Sequence, residues 1–93
     1  MRLALEETEA IRLAVTRADA QAKIYLFGSR VDDSALGGDI DLLGVSHKID
    51  LMSKLDILAQ LHQTLGERKI DIAVYPDTSR PFARMVLQEG RPL

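Results

Sequence analysis

Two aspartates one residue apart, Asp39 and Asp41, head an otherwise apolar run, D-I-D-L-L-G-V. No other feature limits the fold as much. Side chains alternate along a strand, so Asp39 and Asp41 share one face while Ile40 and Leu42 share the other. Aspartate is disfavoured in strands. Two on one face, about 7 Å apart by strand rise, repel each other unless a cation sits between them. The run before them sharpens the point. Ile24 to Phe27 is a continuous apolar and aromatic stretch that reads as a strand covered on both faces. It ends at Gly28-Ser29, where glycine permits a sharp turn and a close approach. A third strand, Arg68 to Tyr75, carries one more acid, Asp71, on the face opposite Ile70, Ile72 and Val74.

A strand-final Gly28-Ser29, nine intervening residues and then Asp39-x-Asp41, with a later strand aspartate at Asp71, resembles the signature of the polymerase-beta-like nucleotidyltransferase superfamily. Within it the chain is most similar to the minimal nucleotidyltransferase (MNT) domains, many of which act as antitoxins beside HEPN-domain toxins. The resemblance implies an α+β fold of that superfamily, a small mixed β-sheet covered by helices. It implies Mg2+ as cofactor, two ions, with ATP as nucleotide donor. Asp39 and Asp41 would then hold both ions, and Asp71 would complete the ion beside the nucleophile and receive its proton. Gly28 and Ser29 would present backbone N–H groups and a hydroxyl to phosphate oxygens, with Arg30 adding a charged contact. Gly37 and Gly38 would let the connecting loop fold back. The implied activity moves AMP onto a tyrosine hydroxyl of an HEPN toxin. Two other readings stay open. One is a binding-only antitoxin, favoured by the acidic Val31-Asp32-Asp33 stretch after Arg30. The other is a nucleotidyltransferase for a small molecule, with a homo-oligomer building the acceptor site between subunits.

Composition narrows the field. Ninety-three residues, 46% apolar, suit a single domain over residues 1–93. With 12 basic and 14 acidic residues the net charge is −2, and it becomes +1 without the three candidate aspartates. Neither value provides the basic excess that general nucleic-acid binding requires. There is no cysteine, which excludes disulfides and thiolate metal sites. No apolar run approaches a membrane span, and the acidic start (Glu6, Glu7, Glu9) is unlike a signal peptide, so a cytoplasmic protein is expected.

The remaining elements follow from periodicity. Leu5, Thr8, Ile11, Val15, Ala18 and Ala22 predict an amphipathic helix over residues 4–22. Asp50 is placed to cap a helix to Leu65, with Leu51, Leu55, Leu58, His62 and Leu65 as its inner row, Met52 and Leu61 flanking it, and Gly66 at its end. Pro76 closes the third strand. Thr78 or Ser79 is placed to cap a last helix with Phe82, Met85 and Val86 inward, and Gly90 to end it. Arg91-Pro92-Leu93 reads as a tail.

Overall fold

The computed structural model describes residues 5–27, 40–66 and 69–93. Helix α1 (Leu5–Ala18) leads to strand β1 (Lys23–Phe27), then β2 (Ile40–Val45), α2 (Leu51–Leu65), β3 (Ile70–Tyr75), α3 (Pro81–Glu89) and the two-residue β4 (Arg91–Pro92). The strands form one mixed sheet in the order β3-β2-β1-β4. Strand β1 is antiparallel to β2 and β4, and β2 is parallel to β3. A helical crossover such as α2 is what a parallel β2–β3 pair requires. The fold is α+β, as expected.

Strand alternation sorts the sheet into two faces. Ile24, Leu26, Ile40, Leu42, Ile70 and Ile72 pack against Ile11, Ala14 and Val15 of α1 and Ile57 and Leu61 of α2, all buried. On the other face, Leu43 packs with Ala83 and Val86 of α3, flanked by Tyr25, Phe27, Val45, Ala73, Tyr75 and Phe82. Strand β1 is thus covered on both sides.

Caps hold the helix ends. Asp50 Oδ1 accepts the Ser53 N–H at 2.8 Å, the expected N-cap bond. Gly66 adopts φ +83, a left-handed conformation that disfavours a side chain, and its N–H returns to the His62 carbonyl at 3.0 Å. Gly90 serves a different purpose. Its φ is ordinary, but a Cβ there would lie 2.7 Å from the Leu26 carbonyl and 2.8 Å from the Val86 carbonyl. Only glycine lets α3 close this tightly onto β1.

Several expectations need correction. Helix α1 stops at Ala18, and Leu5 is exposed. The inner row of α2 is Ile57 and Leu61 with Leu58 and Leu65, whereas Leu51, Met52, Leu55 and His62 face outward. Contact with α1, including Arg17 Nη1 donating to Gln60 Oε1 at 3.4 Å, accompanies this rotation. The α3 N-cap is Arg80 without a side-chain bond, because Asp77 Oδ1 already accepts from the Ser79 N–H and hydroxyl; Met85 is largely exposed.

The supposed tail is an edge strand. Leu93 N–H donates to the Ile24 carbonyl at 2.8 Å, while Pro92 faces Tyr25. Antiparallel partners alternate between bonded and non-bonded pairs. Proline therefore occupies the position whose missing N–H would point away from β1, where an edge tolerates it. Among the described residues, no helix is long and apolar enough to cross a membrane.

Candidate active site

Asp41 and Asp71 meet across the β2–β3 ladder. They are direct register partners on parallel neighbours, so their Cα atoms are about 4.8 Å apart in the hydrogen-bonding direction. Both side chains point to the α3 face, since their strand neighbours Ile40, Leu42, Ile70 and Ile72 fill the opposite core. Phe27 is the partner of Asp41 on β1. A row Phe27–Asp41–Asp71 therefore crosses three strands. Asp71 is exposed and Asp41 half-buried.

Position in the fold explains how two acids come to lie side by side. Strand β2 is fixed from behind by Ile40 and Leu42, each 0% exposed, so its other face can carry an acid without losing the strand. Ile70 and Ile72, each 6% exposed, do the same for Asp71. The backbone bond from Ile40 N–H to the Lys69 carbonyl, 2.9 Å, holds the two strand heads in register.

The aromatic side chains define how far α3 reaches. Phe82 makes an edge-on contact with Phe27, ring centroids 5.3 Å apart, and a tilted one with Tyr75 at 5.9 Å. Such pairs add about 0.5–1.5 kcal/mol beyond simple burial. They fasten α3 over the apolar part of this face, alongside the acidic row. The sequence reading did not anticipate this cluster; Phe27, Tyr75 and Phe82, ending or following strands, were its only visible signal.

A second unanticipated group lies at the far end of the strands. Asp19, 6% exposed, accepts the Ser46 hydroxyl on Oδ2 at 2.6 Å and the Gln21 N–H on Oδ1 at 3.0 Å. Ser46 Oγ in turn accepts from the N–H groups of Lys48 and Ile49, at 3.0 and 3.1 Å. The Ser46 hydroxyl, then the Gln21 N–H, hold the Asp19 carboxyl below the usual carboxylate range. This network ties the α1–β1 turn to the β2–α2 loop, a structural task. Aspartate and serine in turn positions were the signal that could have found it.

Of the sequence-predicted site residues, Asp41 and Asp71 are brought together. Gly28, Ser29, Arg30 and Asp39 lie outside the described residues, as do Gly37 and Gly38. Among the described residues no group of three potential metal ligands occurs, and Asp41 and Asp71 supply two hard oxygen donors. Two carboxylates on neighbouring strands repel each other. A divalent cation removes that repulsion, and carboxylate oxygens suit magnesium or manganese.

No curated protein matches this sequence. A family model does: that of the polymerase beta nucleotidyltransferase domain matches residues 9–93, from α1 to the last residue. With both strands of the acidic pair inside that match, the chain belongs to the polymerase beta nucleotidyltransferase family.

Proposed function

We propose that this protein is an Mg2+-dependent nucleotidyltransferase that moves AMP from ATP onto a tyrosine hydroxyl of a partner, an HEPN toxin that it silences as an antitoxin. The observation that carries the reading is the register pair Asp41–Asp71, two carboxylates adjacent on one sheet face with Asp71 open to solvent. The family match supports nucleotidyl transfer in general. The HEPN partner and antitoxin role rest on the likeness to minimal nucleotidyltransferase domains.

The reaction brings an anionic triphosphate to a hydroxyl that must lose its proton. Asp41 and Asp71, with Asp39 of the same Asp-x-Asp pair, are the residues that would hold magnesium. When bound, magnesium neutralises the triphosphate and the departing pyrophosphate. Asp71, the exposed member, is the one an incoming acceptor hydroxyl can reach, and in this reading it takes the proton. Gly28, Ser29 and Arg30 receive the phosphates. They follow directly on Phe27 in the sequence, and Phe27 is the residue paired with Asp41.

The test is incubation with α-labelled ATP, Mg2+ and an HEPN protein encoded beside this one. Label on a tyrosine of the partner, lost with Asp71→Asn, is the expected result. Neutralisation of the partner without any label would replace transfer by occlusion. Neither label nor neutralisation would overturn the partner assignment. Label appearing instead on a small-molecule acceptor would redirect the activity.

A further inference from the structure

The sheet face that carries Asp41 and Asp71 has a second end, and the loops there enclose a cleft of about 500 Å³. The α1–β1 turn, the β2–α2 loop, the β3–α3 loop and Leu87 of α3 form its walls. Val45, on one wall, lies four residues along β2 from Asp41. At a strand rise of about 3.3 Å that separates the two ends by roughly 13 Å.

The apolar part of the lining is Tyr25, Val45, Pro76 and Leu87. The rest of the lining carries both signs of charge, and each acid already accepts hydrogen bonds. Asp19 has one oxygen on the Ser46 hydroxyl and the other on the Gln21 N–H. Asp77 Oδ1 accepts twice from Ser79, which holds its carboxyl below the usual range. Lys23, His47 and Lys48 line the same cleft, and all three are exposed. Among the described residues none of their side chains makes a hydrogen bond. Lys48 and His47 lie close enough to Asp19, and His47 to Asp77, to favour the carboxylates. The lysine ammoniums spend no hydrogen bond there, so the cleft offers N–H donors beside an apolar lining.

We propose that this cleft binds a small organic anion. Lys23 and Lys48 hold its phosphate or carboxylate head, and its flat apolar body lies over Tyr25 and Leu87. The volume suits such a ligand, and an apolar lining with a few placed polar groups is the usual composition of a small-molecule site. Exposed ion pairs contribute little in water, so the head alone should bind poorly and the body must supply the rest. The proposal does not depend on the nucleotidyl-transfer reading, because no residue of the cleft belongs to the acidic row.

The probe is phenyl phosphate, titrated in EDTA into the wild-type protein while the ring resonances of His47 and Tyr25 are followed by NMR. Inorganic phosphate and the double variant Lys23→Gln/Lys48→Gln are run beside it. Both lysines are exposed, and circular dichroism checks that the fold is kept. We expect saturable shifts at both rings, with affinity at least ~10-fold weaker for inorganic phosphate and for the double variant, a tenfold change being the loss of one good contact. Asp41→Asn should leave the titration unchanged, which separates this result from the fate of the acidic pair. Absent or non-saturating shifts, equal affinity in the double variant, or equal affinity for inorganic phosphate would each overturn the proposal.

Discussion

One face of the sheet meets α1 and α2 and is apolar from end to end; the other meets α3 alone and keeps two aspartates. Lengths account for much of the contrast. The helices α1 and α2 have 14 and 15 residues, about 21 and 23 Å, and six-residue β2 is about 20 Å long. They are as long as the strands they pack against. Helix α3 has 9 residues, about 14 Å, and even laid along the strands would leave part of them uncovered by it. Stability is concentrated where coverage is complete. The carboxylates sit where it is not, which spares them the desolvation that full burial would impose.

Substitutions on the two faces should therefore separate folding from chemistry. The largest effect on stability is expected on the covered face. Leu42→Ala opens a void at a fully buried site and should cost about 2–5 kcal/mol, read from denaturant unfolding. A cost below about 1 kcal/mol would mean that the two faces are not so unequal. On the open face, Asp71→Asn should slow nucleotide transfer at least ~100-fold while leaving the unfolding midpoint unchanged or raised, since it relieves a like-charge pair. Matching losses of activity and stability would make Asp71 a folding residue.

The far-end loops come next in size. Ser46→Ala removes the hydroxyl donor to a buried carboxylate and should cost about 1–3 kcal/mol. The same network sets an acid limb. Asp19, Asp50 and Asp77 all have carboxyls held below their ordinary range, chiefly by the Ser46 hydroxyl, the Ser53 N–H and the Ser79 hydroxyl respectively. The stability they add is fully present above the unfolded value near 4, and is lost as pH falls through their lower folded values. Melting temperature should thus hold above about pH 5 and fall below pH 4, with a shallower fall in Ser46→Ala. A pH-independent melting temperature would remove these bonds from the account. The smallest effect is expected from Leu51→Gln, within about 0.5 kcal/mol, because Leu51 is 68% exposed despite its place in an apolar row.

Leu51 also marks where the sequence stops being legible. Strand parity was readable because a period of two leaves no freedom. Once Ile40 and Leu42 face the core, Asp41 must face away. Asp50 and Gly66 were readable because caps are local chemistry. Helix azimuth is not local. The leucines and methionine of α2 allow more than one inward face, and packing with α1 accompanies the one that buries Ile57 and Leu61. The β4 strand escaped notice for a related reason. Nothing within Arg91-Pro92-Leu93 encodes a strand, and it becomes one by bonding to Ile24. The Asp41–Asp71 contact lay between these cases. Each residue's face could be read, but their register depends on the β2–β3 pairing.

The central claim is that the acidic end of the open face holds the metal. Mn2+ can replace Mg2+ on oxygen ligands, and its paramagnetism broadens nearby NMR signals, so a titration into the 15N-labelled protein tests the claim directly. Amides of Asp41, Asp71 and Phe27 should broaden first, while those of His47 and Asp77 persist, and Asp41→Asn/Asp71→Asn should abolish the selectivity. Broadening centred on the His47–Asp77 end, or unchanged by the double substitution, would contradict it.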